Sequence, residues 1–331
     1  MQIIQRISLP FLTLCSSFAN VTLARGTKIV RRIGLNFLDL YGSLSTALSR
    51  RQRPVIEDLA LYSEEFTLGK GPRACLLIHG LGCGPIQMKE LAEHLSLAGF
   101  TTRGILLPGH CSSPEALEGV SWQDWEEKVE REYMKLKGEY RSVSVIGFSV
   151  GGLLALRLGT KHALDKIISL GAPLFIIREY FPFKKLLFIT EKLFSRIKTV
   201  RKKWFIQSGE LSGFLRFPTV SHYPIATIKA MGELIRITKV DLERIKSPLL
   251  VVHSRKDMVA APFSAFYIMH YAGSQDKRLV WLNRSDHLMM FDKEKALLFH
   301  AVKEFMERDT KEGPSLGKVV PHLVAEGAPI A

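Results

Sequence analysis

Ser149 stands at the centre of Gly147-Phe148-Ser149-Val150-Gly151, a G-x-S-x-G pattern. The apolar run Val143-Ser144-Val145-Ile146 precedes it, and the helix-like stretch from Gly152 to Leu158 follows. Strand, G-x-S-x-G and helix in that order make a tight turn that lifts one hydroxyl into the open at a helix N-terminus. Bulky residues at the flanking positions would clash in such a turn, which accounts for the glycines.

A serine hydroxyl attacks carbonyl carbon only when a base takes its proton, and a neutral imidazole held by a carboxylate is suited to this. Both partners occur downstream. Pro248-Leu249-Leu250-Val251-Val252-His253 reads as a buried strand and leads into Ser254-Arg255-Lys256-Asp257. Lys277 to Leu282 reads as a further strand and leads into Asn283-Arg284-Ser285-Asp286-His287. Loops that follow parallel strands emerge at one edge of a sheet, so Ser149, Asp257 and His287 can meet there. Asp286 is a rival acid. It ranks below Asp257 because neighbouring side chains on one loop seldom point at each other.

Attack on a carbonyl also needs donors for the developing oxyanion. One is the backbone N–H of Val150, the residue after the serine. The other comes from the loop His79-Gly80-Leu81-Gly82-Cys83-Gly84, after the apolar strand Ala74 to Ile78, with Leu81 the best placed. His79 is expected to hold that loop by side-chain hydrogen bonds.

Further motifs surround these residues: Leu76-Leu77-Ile78-His79-Gly80, Leu91-Ala92-Glu93-His94-Leu95 with Ala98-Gly99-Phe100, and Leu107-Pro108-Gly109-His110. Ser121-Trp122-Gln123-Asp124-Trp125 and Asp241 to Pro248 complete the set. Together they resemble the bacterial carboxylesterase and monoacylglycerol lipase group of α/β-hydrolases over residues 64 to 308. The resemblance implies an α/β-hydrolase fold, a mostly parallel sheet with helices on both faces and a helical cap insertion. It implies a Ser149–Asp257–His287 triad, oxyanion donors at Leu81 and Val150, and cleavage of lipid-like carboxylic esters such as monoacylglycerols or lysolipids. An acyltransferase or thioesterase could use the same triad, and a membrane-surface binding protein with little turnover is the reading from another class. Cys111 stands where the group usually has Gly, Cys83 replaces a small or hydroxyl residue, and Val150 replaces Met or Gln.

Strand-length apolar runs alternate with amphipathic stretches, as an α/β chain with a parallel sheet requires. Ile86 to Gly99, Trp122 to Lys137 and Lys293 to Glu307 read as helices; Thr101 to Leu107 and Lys166 to Leu170 read as strands. The expected layout is an extension over 1–53, core over 54–173, a cap over 174–240, core over 241–308 and a loose tail over 309–331. Phe214, Ile225, Ile228 and Met231 could line an acyl pocket, or could pack the cap on the core. Four cysteines give no disulfide framework, and Cys83 and Cys111 are taken as free thiols. No metal-ligand cluster or phosphate-cradling loop stands out, so no cofactor and no metal are expected.

The net charge of +14 is concentrated in two places. Residues 1–53 hold eight Lys/Arg and one acid, and residues 178–204 hold nine Lys/Arg and two acids. The remainder is neutral. Both segments interleave cations with bulky apolar residues, a composition suited to an anionic membrane surface. No nucleic-acid-binding motif accompanies the charge, so no nucleic acid is expected. Residues 7–24 are apolar but interrupted by Pro10, Ser16, Ser17 and Asn20, which is poor for a span. They also fit a signal or transit peptide. The expectation is peripheral membrane association, with the cytoplasmic side favoured.

Overall fold

The computed structural model describes residues 62–176, 199–201 and 222–308. The extension 1–53, the tail 309–331, most of the segment 178–204 and Phe214 lie outside the described residues. In chain order the strands are β1 (Phe66–Leu68), β2 (Arg73–Ile78), β3 (Phe100–Ile105), β4 (Ser142–Phe148), β5 (Ile167–Leu170), β6 (Thr199–Arg201), β7 (His222–Pro224), β8 (Leu249–Ser254) and β9 (Lys277–Leu282). The helices are α1 (Ile86–Leu97), α2 (Pro114–Glu118), α3 (Trp122–Glu139), α4 (Val150–Lys161), α5 (Ile225–Asp241), α6 (Phe263–Tyr271) and α7 (Lys295–Glu307).

Seven strands form one sheet in the order β1-β3-β2-β4-β5-β8-β9. Only β1 runs antiparallel to its neighbour; the pairs β2–β3, β2–β4, β4–β5, β5–β8 and β8–β9 are parallel. Side chains alternate across the central strands and feed two apolar layers. Leu76, Ile78 and Val145 join the layer that includes residues of α3, α4 and α5. Cys75, Leu77 and Ile146 join the layer built with α1 and α7. Strands β2, β4, β5 and β8 are buried on both faces, so they read as largely continuous apolar runs rather than alternating ones.

Local chemistry sets the element ends. Ser121 caps α3: its hydroxyl accepts from the Asp124 N–H, and the Asp124 carboxylate accepts from the Ser121 N–H at 2.7 Å. Strand 3 begins at Phe100 and ends at Ile105, one residue earlier and two residues sooner than the apolar pattern suggests. The Leu106 N–H leaves the ladder for the Glu65 carboxylate, and the Leu107 N–H for His79. Helix α5 continues to Asp241 and packs its Ala230, Met231, Leu234 and Ile235 into the core layer. Its end is pinned by Arg157 of α4, a buried guanidinium paired with Asp241 and, at 2.9 Å, with Glu126 of α3. Such a buried cation is tolerated because both carboxylates hydrogen-bond it. No described helix is long and apolar enough to cross a membrane.

Candidate active site

Ser149 sits between β4 and α4 with φ 55° and ψ −116°, a left-handed conformation that non-glycine residues rarely adopt. The surroundings enforce it. The Ser149 N–H donates to the Leu170 carbonyl of β5 at 2.8 Å, and the Leu153 N–H closes the first helical turn on the Ser149 carbonyl. A Cβ at Gly147 would overlap the Gly151 carbonyl, and one at Gly151 would overlap the Ile78 carbonyl of β2. The glycines of the motif are therefore dictated by backbone contacts as well as by the turn.

The loop after β8 carries Asp257, and the loop after β9 carries His287. Ser254 and Ser285 join the two loops, the Ser254 hydroxyl donating to the Ser285 carbonyl. Asp257 is buried, and its Oδ1 accepts the Val259 and Ala260 N–H groups at 2.8 Å each. Its Oδ2 lies 2.7 Å from His287 Nδ1, and His287 Nε2 lies 3.1 Å from Ser149 Oγ. Burial alone raises the Asp257 carboxyl, but the His287 charge and hydrogen bond, then His253 and the Val259 N–H, hold it below its ordinary value. An ionised Asp257 makes Nδ1 the donor and leaves Nε2 free to accept the serine proton. Gly171, at φ 55°, leaves room beside the Asp257 carboxylate and the His287 ring, and Phe148 packs 5.1 Å from that ring. Ser149 and His287 are each 8% exposed, so little of either side chain meets solvent.

Asp286 is differently engaged. Its Oδ1 accepts the Met258 N–H at 3.1 Å and the His287 N–H at 2.7 Å. It braces the two loop backbones and is not bonded to the imidazole. Glu294, just before α7, accepts the Asn283, Arg284 and Ser285 N–H groups at 2.7–3.0 Å and the Ser285 hydroxyl at 2.9 Å. Burial opposes its charge, but these donors hold Glu294 below the usual carboxylate range. The His287 loop is thus fixed by a carboxylate eleven residues beyond Asn283, which sequence patterns do not reveal.

The loop after β2 is held from several sides. The Gly80 carbonyl accepts His79 Nδ1–H at 2.8 Å and the Cys83 N–H at 3.3 Å. A trans peptide points its N–H opposite its carbonyl, so these bonds also aim the Leu81 N–H. His79 Nε2 accepts the Leu107 N–H at 3.0 Å, which fixes one neutral tautomer. Burial first, and the neighbouring His110 second, hold His79 well below its ordinary value, against the bond to Gly80. Gln87 Oε1 accepts the Gly80 N–H at 2.8 Å, and Tyr223 donates its hydroxyl to the Leu81 carbonyl at 3.1 Å. Gly82, at φ 70°, has no space for a Cβ against the Tyr223 ring. Among the described residues neither Leu81 nor Val150 uses its N–H in a loop or turn hydrogen bond.

Of the four residues expected to line a pocket, Phe214 lies outside the described residues. Met231 is buried in the core layer, Ile228 packs against that layer half-buried, and Ile225 is half-buried at the start of α5. Tyr223, from the strand before α5, reaches the Leu81 carbonyl of the loop after β2 instead. Cys83 and Cys111 are free thiols. Cys111 has φ 50° where glycine would be relaxed, and its Sγ packs against Gly84 and donates to the Tyr62 carbonyl. Burial pushes the Cys111 thiol up to about 12, Cys83 adding to the effect. No group of three or more potential metal ligands occurs among the described residues.

A carboxylesterase of Bacillus subtilis is 30% identical over 244 residues, covering 73% of this chain and 96% of the relative. A thermostable monoacylglycerol lipase of Bacillus sp. H-257 is 28% identical over 247 residues, covering 74% and 95%. A solved structure from the work on LipS and LipT, metagenome-derived lipolytic enzymes, superposes with a TM-score of 0.66 at 22% identity over 74% of this chain and 98% of that one. The likeness in that case is one of fold. Residues 70–294 match the family described as serine aminopeptidase, S33, well over half of the chain, so this protein belongs to that family of α/β-hydrolases.

Proposed function

We propose that the chain is a serine hydrolase of carboxylic esters working through an acyl-enzyme on Ser149, with lipid-like esters such as monoacylglycerols or lysolipids as the substrate class. The observation that carries the reading is His287, which reaches Ser149 Oγ at 3.1 Å with one nitrogen and Asp257 Oδ2 at 2.7 Å with the other. The carboxylesterase and monoacylglycerol lipase relatives support the substrate class.

In this mechanism Ser149 Oγ forms a bond to the ester carbonyl carbon as its proton moves to His287 Nε2. Asp257 stabilises the imidazolium, and the Leu81 and Val150 N–H groups receive the oxyanion. Two aimed donors of this kind supply several kcal/mol of barrier reduction, about 3 kcal/mol each. The C–O bond to the alcohol then breaks, and His287 returns the proton to the leaving oxygen. Water, deprotonated by the same imidazole, attacks the acyl carbon and releases the carboxylic acid and Ser149.

The basic, apolar segments 1–53 and 178–204 serve to hold the enzyme on an anionic membrane surface. Each cation near such a surface contributes about 1 kcal/mol, screened by added salt. Labelling with a fluorophosphonate probe tests the nucleophile: modification of the wild type at Ser149, absent in Ser149→Ala, is expected, and labelling that persists in Ser149→Ala overturns the assignment. A chain-length series of glycerol and p-nitrophenyl esters identifies the acyl group. Deleting residues 1–53 is expected to weaken vesicle binding in low salt while sparing a soluble short-chain ester; equal binding with and without that segment overturns its role.

A further inference from the structure

Helix α6 presents its aromatic side chains outward. Its small residues Ser264 and Ala265 are buried with Ile268, while Phe263 and Phe266 are each 50% exposed and Tyr271 is 48% exposed. Positions 263, 266, 267, 270 and 271 fall on one face at three- and four-residue spacing. A surface helix of a soluble domain ordinarily does the reverse.

The rings form a continuous surface with neighbours from other elements. Phe263 packs 5.0 Å from Phe175, Tyr267 lies 4.3 Å from Tyr271, and Phe266 lies 5.1 Å from Trp281 of β9. The Arg255 guanidinium covers Trp281 at 4.7 Å. Arg255, Lys256 and Met258 are exposed on the loop that carries Asp257. From Arg255 to Tyr271 the sole acid is Asp257, and it is buried beneath His287. The surface also adjoins the root of the cap insertion: Phe175 exchanges hydrogen bonds with Ser264 and with the Ala261 N–H.

A contiguous exposed apolar surface marks a partner. Phe, Trp and Tyr are the side chains that settle at the boundary between lipid headgroups and acyl chains, and flanking Arg and Lys pair with anionic headgroups. A second copy of this chain fits less well, because a two-fold contact on this face would bring Arg255 and Lys256 of one copy toward those of the other. We propose that the outer face of α6, with Trp281, Arg255 and Lys256, docks on the surface of an anionic lipid bilayer and so brings the edge of the sheet that bears Ser149 and His287 toward membrane-borne ester. This extends the membrane docking proposed above to a surface apart from residues 1–53 and 178–204.

Flotation of the full chain with vesicles of phosphatidylcholine, with and without phosphatidylglycerol, tests it. Phe263→Ser, Phe266→Ser and Tyr271→Ser combined should lower partition onto mixed vesicles about tenfold or more, since each ring buries apolar area in the interface. Arg255→Glu with Lys256→Glu should remove most of the preference for the anionic vesicles. Turnover of a soluble p-nitrophenyl ester should stay within about twofold, because these side chains leave the triad untouched. Quenching by brominated lipid, measured with Trp204→Phe in place and lost when Trp281→Phe is added, supplies a reading independent of those variants. Unchanged partition in the combined aromatic variant, or equal quenching with and without Trp281 in that background, overturns the proposal. If deletion of 1–53 abolishes binding while the aromatic variant binds normally, docking by the extension survives and docking by α6 fails. If the aromatic variant turns a dimer into a monomer in sedimentation and binds vesicles as before, the face is a contact between copies of this chain and the proposal fails.

Discussion

His253 Nε2 lies 3.7 Å from the same Asp257 Oδ2 that receives His287 Nδ1. It is fully buried near the C-terminal end of β8 and bonded to the Ala260 carbonyl at 3.0 Å. Burial keeps this second imidazole below its ordinary value, against the pull of Asp257, so it stays neutral and offers Nε2–H as a dipole. The Asp257 carboxylate is therefore flanked by two imidazoles, one held to the loop and one facing the serine.

His253 contributes to the lowering of the Asp257 carboxyl. Its loss should let that carboxyl rise. His253 shares Oδ2 with His287, so His253→Phe should loosen the carboxylate that orients His287 and lower kcat/KM for a soluble ester about threefold or more near neutral pH, and His253→Gln, which keeps a donor, should lower it less. The measurement is kcat/KM beside thermal stability. An unchanged kcat/KM in His253→Phe, with a loss of thermal stability alone, would show that the ring only fills space.

The choice between the two carboxylates of the site gives a sharper expectation. Asp257→Asn should reduce kcat by about a thousandfold or more, because the triad members act as a unit and the amide favours the wrong tautomer of His287. Asp286→Asn should cost far less in kcat, about tenfold at most, because Asp286 braces backbone N–H groups and touches no reacting atom. Active Asp257→Asn with inactive Asp286→Asn would reverse the assignment.

Much of this site is legible in the sequence because of topology. In a parallel sheet the loops after β4, β8 and β9 emerge at one edge, so a serine, an acid and a histidine distant in the chain can be predicted to meet. The supporting contacts are less visible. His253 ends the apolar run Leu249 to Val252 and reads as one more core position. Glu294 lies in the charged stretch Asp292 to Lys295, where a carboxylate ordinarily faces water. Tyr223 stands in no motif, yet its hydroxyl donates to the Leu81 carbonyl. The face of α6 is hidden for another reason: Phe263 to Tyr271 is apolar all round, so periodicity does not distinguish its buried side from its exposed one. Such contacts depend on the path of the chain in space, which local patterns do not encode.

Glu294 ties acid stability to the His287 loop. Its folded value is depressed, so the stabilisation it gives is present above the ordinary carboxylate range and is lost as pH falls through the depressed value. Glu294→Gln should lower stability by about 1–2 kcal/mol near neutral pH, for a partly exposed carboxylate losing charge-assisted bonds. The difference between the two proteins should shrink as both are taken to pH values below the depressed one. Denaturant unfolding at pH 7 and near pH 3 measures it. A difference that is constant across that range would mean that charge on Glu294 is not what holds the loop.

His79 tests whether aiming one peptide matters for turnover. Its Nδ1–H holds the Gly80 carbonyl and thereby the direction of the Leu81 N–H, while its Nε2 holds the Leu107 N–H. Replacing it with Ala leaves that peptide held only by the Cys83 N–H and leaves the buried Leu107 N–H without its acceptor. The expected result is a fall in kcat of about ten- to a hundredfold, with KM changed little, because an oxyanion donor acts on the transition state more than on bound substrate. His79→Asn can reach only one of the two partners and should lie between the wild type and His79→Ala. Fluorophosphonate labelling of Ser149 should slow in parallel, since its tetrahedral phosphorus also carries oxygen into the same pair of N–H groups. If kcat survives His79→Ala while thermal stability drops, the imidazole supports the fold and the Cys83 N–H on the Gly80 carbonyl suffices to aim the Leu81 N–H.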